Sequence, residues 1–103
     1  MKLTSRTKQK READKLFSLL IRARGCCQRC GVSSQTLQPA HIYSRRYLNT
    51  RWDEDNALCL DSGCHFWAHQ NPLEFTELVK KILGGKRYEE LIEKHYKVSK
   101  VDF

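Results

Sequence analysis

The apolar residues of this chain change their spacing twice, helical at first, strand-like in the middle and helical again towards the end. From Arg11 to about Arg24, Ala13, Leu16, Phe17, Leu20 and Ala23 recur at helical intervals with Lys and Arg on the other face. That pattern predicts an amphipathic helix stopped by Gly25. Residues 1–10 lack the period and are expected to start without order. Leu37 to Tyr43 and Asn56 to Leu60 are short and β-prone, with Pro39 suited only to an edge or a strand start. They predict the two arms of a hairpin, joined by the polar, turn-rich run 49–56. Asp61-Ser62-Gly63 reads as a turn, and a helix is expected from near Cys64, which puts His65 and His69 four apart on one face. Asn71-Pro72-Leu73-Glu74 is a helix start, with Asn as N-cap, Pro at the first position and Glu at the third. Phe75, Leu78, Val79, Ile82 and Leu83 form its apolar stripe as far as Gly84-Gly85. A last helix, about Arg87 to Lys97, shows Tyr88, Leu91, Ile92, His95 and Tyr96 on one face, where His95 reads as structural. The fold class is therefore α+β.

A chain of 103 residues makes one domain, 1–103, with a core at the small end of what folds unaided. Hydrophobic residues at 40% and charged residues at 30% describe a globular chain whose stability leans on a staple. Five cysteines is an odd number. The one early apolar run, Leu16 to Ile21, contains a serine and follows a charged segment, so it is neither a secretory leader nor a membrane span. An intracellular chain with closely spaced cysteines reads as a zinc protein rather than a disulfide scaffold. The net charge is +7, and eight of the nineteen Lys and Arg fall in residues 1–24 against two of the twelve acids. Nearly all the excess therefore lies in an N-terminal arm, which suits a polyanionic partner, nucleic acid above all, or serves as a solubilising tail.

Cys27-Gln28-Arg29-Cys30-Gly31 has the shape of a zinc knuckle, two thiolates two residues apart and a glycine for the tight turn. Cys59 and Cys64, separated by four residues, supply a second pair. The four together make a closed, structural zinc site in which His65 or His69 could replace one thiolate. Cys26 is surplus and reads as a small buried hydrophobe. A redox role for Cys26, Cys27 and Cys30 finds no supporting βαβ context.

Three further positions, His41 in Ala40-His41-Ile42, then Asn56, then His65 in Cys64-His65, stand in an order that resembles the HNH endonuclease motif. The flanking cysteine pairs and the Cys-His-x-x-x-His segment before Asn71-Pro72 extend the likeness over roughly residues 26–75. It is most similar to small phage-type members, including the lambda-type phage recombination nucleases. The resemblance implies a ββα-metal (HNH) core at 26–70 with a structural zinc site, preceded by a basic arm and helix (1–24) and followed by C-terminal helices (71–103). It also implies a metal-dependent DNA endonuclease that hydrolyses phosphodiester bonds. His41 would be the general base, Asn56 would fix the hairpin loop, and His65 would hold a catalytic divalent cation, with His69 on the same helical face as second ligand. The DNA, double-stranded or branched, would meet Arg45, Arg46 and Arg51 around the hairpin loop and Lys8, Lys10 and Arg11 on the arm. Tyr43, Tyr47 and Trp52 between those arginines read as packing residues. The enzyme would act as a monomer or homodimer in the cytoplasm of a phage or bacterial host cell. One departure stands out: many members carry Asp or His immediately before the first motif histidine, and here that residue is Ala40. A site of two imidazoles without a carboxylate suits Mn²⁺, Zn²⁺ or Ni²⁺ better than Mg²⁺. The alternative on the same scaffold is a non-catalytic, zinc-finger-like nucleic-acid-binding module.

Overall fold

A computed structural model describes residues 5–97 of the chain, so the first four and last six residues of the expected terminal segments lie outside it. The fold is α+β, with three helices and a two-stranded antiparallel sheet in the order α1 (Ser5–Arg22), β1 (Gln38–His41), β2 (Ala57–Leu60), α2 (Ser62–Gln70) and α3 (Pro72–Tyr96). Helix α1 starts at Ser5, well before the apolar period begins. Lys, Gln, Arg and Glu are good helix formers without any buried face, and they extend the helix backwards from its packed end.

The sheet divides the core by the alternation of its side chains. Cα partners Gln38–Leu60 and Ala40–Leu58 share one face, and Pro39–Cys59 and His41–Ala57 share the other. Ala40, Leu58 and Leu60 pack with Cys64 and Ala68 of α2 and with Phe75, Val79, Leu83 and Leu91 of α3. Ala57 and Cys59 pack with Phe17 and Ile21 of α1. Every residue of β2 is buried because it is covered on both faces.

The inward line of α1 is Asp14, Phe17, Ser18 and Ile21, turned away from the expected stripe. Leu16, Leu19 and Leu20 remain 63%, 50% and 49% exposed. The helix is apolar over too wide an arc for its leucines to choose a face. Phe17 and Ile21 pack into the core against β2, and the ion pairs of Asp14 with Arg45 and Arg51 lie along the same face.

Helix α3 is one long element broken at Gly84, whose φ of 79° and ψ of 163° belong to a region open to glycine almost alone. The break falls where two C-terminal helices were expected to separate. Its second half folds back on the hairpin: Arg87 pairs with Asp55, Lys94 Nζ lies 2.9 Å from Asp53 Oδ2, and Tyr43 stacks on His95 with ring centroids 3.6 Å apart. Asn71 does not cap α3 with its side chain. Its Nδ2 donates to the Trp67 carbonyl at 3.0 Å, so it closes the end of α2 instead.

Candidate metal centre and histidine cleft

The knuckle is set by backbone hydrogen bonds. The Cys27 amide donates to the Val32 carbonyl and the Gly31 amide to the Cys27 carbonyl, each at 2.8 Å, and Gly31 takes the positive φ of 80° that the turn requires. The whole turn is fastened to β2. The Gln28 amide donates to the Cys59 carbonyl at 2.7 Å, Gln28 Oε1 accepts from the Cys59 amide at 2.7 Å, and Arg24 donates to Gln28, Ala57 and Glu54.

This brings Cys27 and Cys30 to the start of α2, where they meet Cys64 and Asp61. One ligand atom from each of these four lies within 4.8 Å of all the others. Tetrahedral zinc with sulfur bonds of about 2.3 Å needs neighbouring sulfurs roughly 3.8 Å apart, so a small contraction closes the site. The electrostatics point the same way. Burial would raise the Cys27 thiol, but the main-chain amides of Cys30, Asp61 and Arg29 outweigh it and bring it down to about 7. The Val32 amide favours a Cys30 thiolate, yet the Asp61 carboxylate and the neighbouring sulfurs push that thiol up to about 12. Burial raises Cys64 as well. Three thiols and a carboxylate crowded together resist joint deprotonation, and a cation in their midst removes that resistance. The four residues can therefore hold a metal ion.

Cys59 is not part of this group. Its side chain lies on the face of β2 that packs against Phe17 and Ile21, while the knuckle meets the start of α2. The period of two along the strand separates it from Cys64, and Asp61 takes the fourth place. A sequence signal for this was present: Asp61-Ser62-Gly63-Cys64 repeats the two-residue gap of Cys27-x-x-Cys30. Asp61 also caps α2, its Oδ1 accepting from the Cys64 amide at 2.7 Å, and its Oδ2 lies 3.2 Å from Cys30 Sγ. Arg29 donates to Cys64 Sγ at 3.4 Å and lies 3.7 Å above the Trp67 ring. It offers a fixed positive charge to an anionic cluster. Cys26 is half-buried and apart from the four.

A cleft of about 690 Å³ runs along the open edge of β1, between α1 and α2. His41, His65 and His69 all line it, together with Arg45, Asp14 and Phe17. The His41 Nε2 lies 3.3 Å from the Arg51 carbonyl. A carbonyl only accepts, so Nε2 carries the proton and Nδ1 keeps its lone pair. Burial holds the His41 pKa below 6.5, outweighing the support from the Arg51 carbonyl. Across the cleft, His65 Nδ1 donates to Gln38 Oε1 at 2.6 Å, which leaves His65 Nε2 bare. Burial, and then the neighbouring His69, lower its pKa too. The His65 and His69 rings stack with centroids 5.0 Å apart. Gln38 was missed in the sequence because a glutamine at a strand start carries no signal of its own.

Comparison with protein-family models, with curated proteins and with solved structures returned no match. The geometry of the chain itself carries the reading.

Asn56 is buried and stands away from the cleft walls. Its Oδ1 accepts from the Tyr43 amide at 2.8 Å and its Nδ2 donates to the Tyr43 carbonyl at 3.0 Å, while its own carbonyl takes the Ile42 amide at 2.9 Å. It is a brace across the hairpin loop, next to His41. Ala40 is a buried core residue that also borders the cleft. Of the cations assigned to DNA, Arg45 and Arg51 are tied to Asp14, Arg46 is exposed above the Tyr47 ring, and Lys8 and Arg11 are exposed on α1 with Lys10 half-buried. Tyr43, Tyr47 and Trp52 are engaged within the fold, by His95 for the two tyrosines and by Asp14 for the indole. Among the described residues no helix is long and apolar enough to cross a membrane.

Proposed function

We propose that the protein is a metal-dependent endonuclease of the HNH type, built on a ββα-metal core and hydrolysing DNA phosphodiester bonds in the histidine cleft. The observation that carries this is the pairing of two neutral imidazoles on one cleft in opposite tautomers. His41 keeps Nδ1 and His65 keeps Nε2 free of a proton, each because an oxygen acceptor holds the proton on the other nitrogen. A lone imidazole nitrogen that stays neutral at pH 7 is a proton acceptor, which suits His41 to take the proton from an attacking water. An imidazole with its Nδ1–H fixed by Gln38 is a metal ligand, which suits His65, and exposed His69 stacked beside it is the second donor.

His65 and His69 would hold the divalent cation, Mn²⁺, Ni²⁺, Zn²⁺ or Mg²⁺. When bound, such a cation draws charge from the scissile phosphate and the leaving oxygen. Asn56 holds the loop that carries the acceptor of His41, and Arg45 at the cleft mouth meets the phosphate backbone, with Arg46, Lys8, Lys10 and Arg11 beyond. Cys27, Cys30, Asp61 and Cys64 would hold a structural zinc that joins the knuckle to α2 and so sets the helix bearing His65.

A second reading, a zinc-stabilised nucleic-acid-binding module without catalysis, draws on Ala40, which offers no ligand where a carboxylate would complete the cleft's donor set. Conversion of supercoiled plasmid to nicked or linear DNA, with Mg²⁺, Mn²⁺, Ni²⁺ and Zn²⁺ restored in turn, separates the two. The nuclease cuts with at least one of them. Salt-sensitive DNA binding without cutting under any metal leaves the binding module.

A further inference from the structure

One acid reaches the cleft from the N-terminal helix, and its carboxylate is fully engaged. Asp14 accepts from Arg51 twice, Nε to Oδ1 at 3.0 Å and Nη2 to Oδ2 at 2.7 Å, from Arg45 Nη2 at 2.8 Å and from the Trp52 indole at 2.9 Å. All three donors belong to the loop between β1 and β2. Arg51 is held at both ends, its guanidinium by Asp14 and its carbonyl by the His41 Nε2–H. The Arg51 side chain is only 14% exposed, so the pairing is partly shielded from solvent.

We propose that Asp14 is a positioning residue for His41: by anchoring Arg51 and Trp52 it keeps the Arg51 carbonyl at Nε2 and leaves Nδ1 free of its proton. This rests on the reading of His41 as the general base and deepens it, because it makes α1 part of the machinery that readies that base. The Asn56 brace secures the loop at Ile42 and Tyr43, eight or more positions before Arg51. On the far side Asn49 donates to the Lys97 carbonyl at 2.6 Å and Asp53 pairs with Lys94, and between them the side chains of Arg51 and Trp52 are tied to α1 by Asp14. Without it the carbonyl drifts, the imidazole exchanges between tautomers, and part of the population turns a protonated Nδ1 to the cleft. Trp52 also packs on the core cluster that contains Phe17 and Ile21 of α1.

The test reads the tautomer directly, through two-bond nitrogen–proton spectra of the histidines in the zinc-loaded protein. Wild type shows His41 wholly as the Nε2–H form, Asp14→Ala shows a mixture, and Asp14→Glu, able to grip Arg51 again, recovers the wild-type pattern. In single-turnover cleavage the Asp14→Ala rate constant falls about 10- to 100-fold while the apparent KM for DNA stays within about twofold. Should Asp14→Ala fail to fold, Asp14→Asn keeps an acceptor for Trp52, removes the negative charge that faces Arg51 and gives the same reading. A folded Asp14→Ala or Asp14→Asn protein whose His41 remains wholly Nε2–H, or whose cleavage suffers only through KM, overturns the proposal. If wild type cuts no DNA at all, the nuclease reading falls, and the His41 tautomer alone decides whether Asp14 positions the ring.

Discussion

Replacing Asp61 with Asn and Cys59 with Ala separates the two candidates for the fourth metal ligand. Asp61→Asn keeps Oδ1 as an acceptor for the Cys64 amide, so α2 retains its cap, but it removes the carboxylate that faces Cys30 at 3.2 Å. Loss of a group that only supports a ligand already costs about 10- to 100-fold in metal affinity. Loss of a ligand should cost at least that. Cys59→Ala removes one sulfur from a buried pocket lined by Phe17, Ile21 and Ala57, and nothing from the cluster. Its expected cost is about 1 kcal/mol of packing, a drop of roughly 4–8 °C in Tm for a domain of this size, with zinc affinity unchanged. Titration against a chromogenic zinc chelator measures the affinities, and the zinc-loaded Tm measures the packing. Loss of zinc by Cys59→Ala with wild-type affinity in Asp61→Asn would refute this assignment, because β2 would then present the other face to the knuckle.

Asn56→Ala strands the half-buried amide and carbonyl of Tyr43. It should cost about 2–4 kcal/mol in urea unfolding, and a loss under 0.5 kcal/mol would show that the brace is not needed. Gly84→Ala meets no neighbouring atom within 4 Å, so any penalty is backbone alone, about 1–3 kcal/mol from the conformation at the α3 break. Burial keeps the His41 pKa below 6.5, so the folded protein binds fewer protons there than the unfolded chain. His41's share of stability is complete above pH 6.5 and is lost as pH falls through that value towards the folded pKa. Nitrogen-detected titration of His41 should give a midpoint below 6.5, and a midpoint above it would remove the case for a neutral base.

The hairpin, the α2 face bearing His65 and His69 and the break at Gly84-Gly85 were legible because period and punctuation state them locally. Three features were not. The fourth ligand depends on which face of β2 meets α1, a tertiary choice that placed Cys59 behind Phe17 although its spacing looked adequate. The rotation of α1 was hidden because Leu16, Phe17, Leu19, Leu20 and Ile21 offer several faces, and the one that packs against β2 also carries Asp14, 31 to 38 positions from its partners. The tautomers of His41 and His65 hang on the Arg51 carbonyl and on Gln38. One is backbone and the other an ordinary polar residue, and neither marks itself in a sequence. Asn71 shows the reverse case, a correct helix boundary with its cap on the preceding helix.

The most direct test of the nuclease account is single-turnover cleavage of a duplex by wild type and by His41→Ala, with DNA affinity and zinc content measured on the same samples. If His41 is the general base, the variant binds DNA and zinc as wild type does and cuts at least about 100-fold more slowly. Equal cutting by the two proteins would contradict it, since the chemistry would then lie outside the cleft that His41, His65 and His69 share.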